Sequence, residues 1–346
     1  MREIQIVDLK AQYEKIGTEI DAAIKSVLLS TAFIKGPDVR MFEEELETYM
    51  GVKHVVSCAN GTDALRIAMM VLGLNPGDEV ITTDFTFVAT AEAAALLGLK
   101  VIFVDPDPGT FNISVDAIRK AITERTRLIV PVHLFGQCAD MESIMGIANE
   151  HNLFVIEDAA QATGADFYFK NSTAKKAGTI GHIGTTSFFP SKNLGCCGDG
   201  GALYTNDDEY ARKLRSIANH GMKVRYSYSD IGLNSRLDTI QAAILRVKIK
   251  YLSRFNEARQ KVAGYYDEAF EGCHSLITPD RVSYSSHIYH QYTIRITNRR
   301  RDELKAFLES KKIPAMIYYP GPLHMQEAYR SFAYNEGDLP VTNSLC

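Results

Sequence analysis

A chain of 346 residues, 46% of them hydrophobic, has material for one large α/β domain and a smaller one beside it. Its formal net charge of −4 argues against a nucleic-acid surface, and the basic runs Lys175-Lys176 and Arg299-Arg300-Arg301 read as solvated loop and helix-start charges. The start, Met1 to Asp8, lacks a hydrophobic leader core, and no apolar run reaches the ~20 residues needed to cross a membrane; the most apolar stretch, Ala91 to Val104, is broken by Glu92, Gly98 and Lys100.

After an N-terminal segment of about 20 residues, strand-like and helix-like patterns alternate, which argues for a largely parallel sheet. Strands are expected at 54–58, 79–83, 101–104, 127–132, 153–157, 184–189 and 200–205, with helices between most of them at 62–72, 88–97, 115–122 and 140–150. The stretch from Asp238 to Phe270 has helical spacing and is expected to join a large domain, 1–245, to a small one, 246–346. Within the small domain, His287 to Ile296 and Ile313 to Tyr319 read as strands and Asp302 to Lys311 as a helix. The six cysteines, at 58, 138, 196, 197, 273 and 346, include no C-x-x-C pair, so reduced thiols in a cytoplasm are the economical reading. His287 and His290 could be taken for a metal pair, but nothing acidic completes it, and no metal is expected.

Three segments carry chemistry. The first runs from Val55 through Asn60-Gly61-Thr62-Asp63 into a helix; free amides at that helix start, with a threonine hydroxyl beside them, suit a phosphate. Plain helix capping would use the same motif. It is neither a P-loop nor a dinucleotide fingerprint, since no Gly-Lys-Ser/Thr and no placed G-x-G-x-x-G occur. The second, Leu153-Phe-Val-Ile-Glu157-Asp158, is an apolar strand that stops on two carboxylates at the end where α/β sheets bind ligands. Side chains alternate along a strand, so only one acid need face the site. Asp158 is the choice: paired with a protonated ring nitrogen it would favour the charged forms by roughly 1 to 3 pKa units, although a helix N-cap is its ordinary alternative. The third holds Lys192, between the apolar run Ser187-Phe-Phe-Pro and the glycine-rich stretch Gly195 to Gly201. An amine attacks a carbonyl only when neutral, and a free lysine with pKa ~10.4 is almost wholly protonated at neutral pH. Desolvation or a neighbouring cation lowers that value; a solvated surface lysine is the bland alternative.

Asn60-Gly-Thr-Asp-Ala-Leu65, Glu157-Asp-Ala-Ala-Gln161, Ser187-Phe-Phe-Pro-Ser-Lys192, Gly198-Asp-Gly-Gly201 and Asn234-Ser-Arg-Leu-Asp238 follow one another in order. With them, from about Ile6 to Leu323, the chain resembles the DegT/DnrJ/StrS-type nucleotide-sugar aminotransferases, which use pyridoxal 5'-phosphate. The resemblance implies an α/β, aspartate-aminotransferase-like fold of PLP type I, with a mostly parallel central sheet, helices on both faces and a smaller C-terminal α+β domain. It implies that Lys192 and Asp158 are catalytic, Lys192 bonding the cofactor aldehyde and Asp158 pairing with the ring nitrogen. Gln161 would lie beside the ring hydroxyl, Phe87 would stack on the ring, and Gly61, Thr62 and Ser187 would hold the phosphate. Asn234 would reach across a homodimer with shared active sites. On residue type alone, Phe87 reads as well as core, Ser187 as a strand hydroxyl and Asn234 as a turn residue. Relatives typically continue for a further strand and helix, so a shortened C-terminus is expected.

By the same likeness the amino donor is glutamate and the acceptor a nucleotide-linked keto-sugar. Over nearly its whole length the chain most resembles members that aminate C3 of UDP-2-acetamido-2-deoxy-3-keto-glucuronate on the way to bacterial surface polysaccharides such as lipopolysaccharide O-antigen. A uronate needs a cation, and Arg236 is the candidate because a guanidinium binds a carboxylate with two parallel hydrogen bonds; a structural ion pair with Asp238 or a partner-chain acid is the alternative. Tyr318 and Tyr319 are further substrate candidates and a departure, since uronate-type members carry His-Tyr-Pro where this chain has Tyr318-Tyr319-Pro320. Tyr-Tyr-Pro accompanies other UDP- or dTDP-linked keto-sugars. A sugar dehydratase would replace Lys192 by histidine, an amino-acid transaminase or lyase would share the cofactor residues, and intact Lys192 and Asp158 speak against a non-catalytic regulatory relative.

Overall fold

The computed structural model describes residues 4–346; residues 1–3, which open the segment expected to lack a leader core, lie outside the described residues. Seven strands form the main sheet: β1 (His54–Cys58), β2 (Glu79–Thr83), β3 (Lys100–Val104), β4 (Thr126–Val130), β5 (Phe154–Asp158), β6 (Ile183–Ser187) and β7 (Gly201–Thr205). Their spatial order is β1-β7-β6-β5-β4-β2-β3. Pairs β2/β3, β2/β4, β4/β5 and β5/β6 are parallel, whereas β7 runs antiparallel to both β1 and β6. One reversed strand in an otherwise parallel sheet agrees with the alternating pattern of the sequence.

Both faces are covered, which is why β2 is buried at every position and the strands read as apolar runs. One face carries α3 (Gly61–Val71) and the helices Ala89–Leu96 and Asp208–Ile217, through Leu65, Ala94 and Leu214, packed with Phe103, Ile156 and Leu203. Helix Met141–His151 packs through Ile144 and Ile147 with Ile81, Ile129 and Val155 in a second core. The stretch from Asp238 to Phe270 is two helices, Thr239–Ile249 and Leu252–Ala269, broken at Lys250-Tyr251. The first is buried along most of its length: Ala242 and Leu245 share a cluster with Phe42 and Leu46 of α2 (Pro37–Met50), while Ile244 and Val247 pack on Ile16 and Ile20 of α1 (Leu9–Ser30).

Two expected strands are corrected. Of 287–296 only Arg295–Ile296 forms a ladder, with Leu276–Ile277, while His287 makes a single bridge to Gln137. The earlier part is bound to a loop instead, Ile288 N donating to Gly136 O (2.9 Å) and Gln291 N to Phe135 O (3.4 Å). Ile313 to Tyr319 belongs to no strand; Tyr319 packs on Phe85 and Tyr318 on Phe135, side-chain contacts in place of a ladder. The expected helix forms at Arg301–Ser310, and farther along Leu323, Tyr329 and Leu339 join the core cluster around Phe103. No helix among the described residues is long and apolar enough to cross a membrane, and all six cysteines are unpaired.

Candidate active site

The carboxyl ends of β1, β5 and β6 bring three of the sequence motifs to one edge. At the end of β5 the pleat separates the two acids. Glu157 is fully buried, where its Oε2 accepts from His133 Nε2 (2.8 Å) and Gly178 N (2.9 Å) and its Oε1 from Ile180 N (2.6 Å) and Gly181 N (2.5 Å). Burial opposes ionisation there, but the His133 bond and the backbone amides prevail and hold the carboxyl below its ordinary range. Ala139 N donates to His133 Nδ1 (3.1 Å), which assigns the ring proton to Nε2. Glu157 is therefore occupied with structure, and Asp158 takes the opposite face.

Asp158 is 6% exposed. Its Oδ2 accepts from Thr90 Oγ1 (2.7 Å) and its Oδ1 from Ala160 N (3.1 Å). Its backbone is fixed from both sides, Asp158 N donating to Pro131 O (2.9 Å) and His133 N to Asp158 O (3.0 Å). Thr90, which sequence reasoning missed, lies in Ala89–Leu96 and looks in the sequence like any helix-start threonine. Lys192 lies in the turn after β6, where Lys192 N donates to Phe189 O (2.8 Å) and Cys196 N to Phe188 O (2.8 Å). Gly195 is obligatory in that turn because a Cβ would stand 2.4 Å from Pro190 O. The amine is desolvated: burial lowers the Lys192 pKa to about 8, against a smaller opposing pull from the Asp158 charge. Buried His290 lies on the same side, held well below its ordinary range by burial and then by the Lys192 charge, with no partner for its Nδ1; its sequence context offered only the metal reading.

A third corner forms where α3 begins. Asn60 caps it by accepting from Asp63 N (2.8 Å), while Gly61 N and Thr62 N have no protein acceptor among the described residues. A Cβ on Gly61 would lie 2.7 Å from Ser187 Cβ, and one on Gly201 would lie 2.5 Å from the Asn60 carbonyl. The two glycines thus let the helix start, the end of β6 and β7 meet, and bring the Gly61 backbone up against Ser187. Phe87 is 59% exposed, an aromatic face with no ring partner among the described residues. Gln161 accepts from Phe135 N through Oε1 (2.7 Å) and reaches the Tyr319 hydroxyl through Nε2 (3.4 Å). The Tyr319 phenol is pushed above its ordinary range, first by burial and also by Asp158, with Gln161 opposing. Tyr319 is thereby brought to the crevice, whereas Tyr318 packs on Phe135 and its hydroxyl meets Met316 Sδ (3.7 Å).

Asn234 and Arg236 lie on another segment, the chain leading into helix Thr239–Ile249. Asn234 is exposed and bridges to Asn219; the neighbouring Ser235 Oγ accepts from Ala59 N (3.1 Å) and ties the segment to the turn before Gly61. Arg236 forms no ion pair among the described residues, neither with Asp238 nor with any other acid, and lines a cavity of about 240 Å³. These residues suit a phosphorylated aromatic aldehyde: a desolvated amine, a fixed carboxylate, an uncovered aromatic and a cradle of free amides that a single methyl would fill.

The sequence profile of the DegT/DnrJ/EryC1/StrS aminotransferase family matches residues 14–346. A pleiotropic regulatory protein of Geobacillus stearothermophilus is 48% identical, over 97% of this chain and 89% of its own. The UDP-2-acetamido-2-deoxy-3-oxo-D-glucuronate aminotransferase of Pseudomonas aeruginosa is 46% identical, over 98% and 91%. Among solved structures, ntda from Bacillus subtilis with bound cofactor PMP superposes with a TM-score of 0.90 at 32% identity, covering 100% of this chain and 79% of that one.

Proposed function

The chain belongs to the DegT/DnrJ/EryC1/StrS aminotransferase family, whose members use pyridoxal phosphate, and from that premise we propose that it moves an amino group from glutamate to C3 of UDP-2-acetamido-2-deoxy-3-keto-glucuronate. The product would enter a bacterial surface polysaccharide, and the protein would act as a cytoplasmic homodimer in which Asn234 serves the neighbouring site. The desolvated Lys192 amine beside a fixed Asp158 carries the catalytic reading. The sugar assignment draws on the 46% identical Pseudomonas relative and on Arg236, a cavity-lining cation with no ion-pair partner among the described residues.

When bound, the cofactor supplies an electron-withdrawing ring that takes up charge as a C–H bond of the amino donor breaks. Gly61 and Thr62 amides with the Ser187 hydroxyl would hold its phosphate, Phe87 its ring face, and Asp158 its protonated nitrogen. Thr90 and Ala160 keep the Asp158 oxygens aimed. Lys192 Nζ would take the proton from the donor's α-carbon and hand it to the cofactor, and in the acceptor half would carry a proton back from the cofactor to the sugar carbon that gains the amine; a base near the working pH contributes ~10² to 10⁴-fold, and a lysine lowered to about 8 meets that condition.

The test is turnover of a panel of nucleotide-linked keto-sugars with glutamate, followed by product mass. Arg236→Ala should raise KM for the uronate at least about tenfold, as for loss of a charged bidentate bond, and much less for an uncharged keto-sugar. Equal effects on both would sink the uronate assignment and leave another UDP- or dTDP-keto-sugar, the substrates that Tyr318-Tyr319-Pro320 favours. The name of the Geobacillus relative keeps a regulatory reading in view; failure of every keto-sugar to turn over would support it.

A further inference from the structure

Arg236 is not alone in its cavity. The chain before α2 is laced to the segment that carries it: Ile34 bridges Asp238, Thr239 N donates to Phe33 O (2.9 Å), and Gly36 N donates to Thr239 Oγ1 (3.0 Å). Gly36 has no room for a side chain, since a Cβ would stand 2.4 Å from Ala32 O and 2.8 Å from Thr239 Cγ2. Between these ties Lys35 takes a left-handed backbone conformation, φ +52°, which a lysine adopts only at a cost. That turn places Lys35 in the lining of the same cavity as Arg236.

The charges there do not balance. Among the described residues Glu43 is the one carboxylate lining the cavity, and it already accepts from Arg215 Nη1 (2.7 Å), Ser57 Oγ (2.7 Å) and Ser57 N (2.9 Å). Arg40 is paired with Glu44 (3.0 Å). Lys35 and Arg236 remain without a hydrogen-bond or ion-pair partner among the described residues. Their proximity registers in the lysine, whose pKa is lowered first by partial burial and then by the Arg236 charge. Two unpaired cations held together by a laced backbone are stabilised only when an anion arrives.

We infer that Lys35 and Arg236 form a two-cation site for the carboxylate of a uronic-acid sugar, Lys35 being a specificity-determining residue in its lining. This rests on the proposed reading that the 234–236 segment faces the sugar of the neighbouring subunit's site. Arg236 supplies the planar fork and Lys35 a point charge on the other side of the same carboxylate.

The experiment is calorimetric titration of the pyridoxal-phosphate holoenzyme with UDP-glucuronate and, separately, UDP-glucose, which differ at the sugar carboxylate and share the diphosphate. Wild type should prefer UDP-glucuronate at least about tenfold, and Lys35→Met should cut that preference roughly three- to tenfold while UDP-glucose binding stays within about twofold. Lys35→Arg should restore most of it. Circular dichroism and the cofactor absorbance of each variant confirm the fold. A wild type that binds both sugars equally, or neither, overturns the uronate reading and this inference with it. A preference that survives in Lys35→Met overturns the inference alone, as does an equal loss for both sugars, which would assign Lys35 to the diphosphate.

Discussion

The Lys192 amine can be titrated directly. Its pKa is lowered from 10.5 to about 8 by burial, so at neutral pH its uncharged fraction rises from ~0.03% to ~10%, a gain of ~300-fold in reactive amine. Competitive labelling of the cofactor-free protein with trace acetic anhydride, read lysine by lysine by mass mapping, reports that fraction without involving turnover. Labelling of Lys192 should climb tenfold per pH unit and level off near 8, while exposed Lys223 and Lys312 are still climbing. Asp158 pulls the other way, its charge favouring the ammonium form. Asp158→Asn should therefore move the Lys192 inflection lower still. An inflection at the ordinary lysine value would show that the turn after β6 leaves the amine in water, and an upward movement in Asp158→Asn would show that the two charges do not meet.

Gly61→Ala introduces a Cβ 2.7 Å from Ser187 Cβ and should weaken pyridoxal-phosphate binding roughly five- to 150-fold, since overpacking of this kind costs ~1 to 3 kcal/mol; an absorbance titration measures it, and unchanged affinity would remove the phosphate from this corner. Glu157 is held below its ordinary range in the fold, so its contribution is fully present above the unfolded carboxyl value and is lost as pH falls through the depressed folded one. Glu157→Gln should lower stability at neutral pH by roughly 1 to 3 kcal/mol and flatten the acid limb of the urea-midpoint profile; parallel profiles for the two proteins would refute this.

The parts of the molecule legible in the sequence are those fixed by local pattern. All seven strands of the main sheet appear where hydrophobic runs place them, shifted by two residues at most, because runs between turn residues define a buried strand. The aminotransferase fold, the family and the cofactor are what the resemblance carried by a few ordered motifs implies, and the family match over residues 14–346 agrees. What stayed hidden depends on contacts far apart in the chain. Thr90 reaches Asp158 across 68 positions, and Lys35 is brought to Arg236 by a bridge between Ile34 and Asp238; neither carries a local signature. The strand reading of 313–319 failed for the same reason: its apolar and aromatic residues satisfy the strand pattern equally well when they pack side-on against Phe85 and Phe135.

The adjacent acids at the end of β5 show how fold and chemistry constrain each other. Glu157 reaches four donors on one face, His133 Nε2 and three backbone amides between Gly178 and Gly181, a span that uses the longer side chain. Asp158, one methylene shorter, is fixed by Thr90 and Ala160 close to its own backbone. A slip of one residue in the register of β5 against β6, now Glu157 opposite Gly184 and Asp158 opposite Thr185, would exchange their faces. The structural pocket would then hold an acid too short for its amides, and the crevice one too long to be held still. The buried glutamate network therefore does more than stabilise the sheet. By fixing which side of β5 faces the crevice, it decides that the carboxylate opposite Lys192 is an aspartate with little freedom to move.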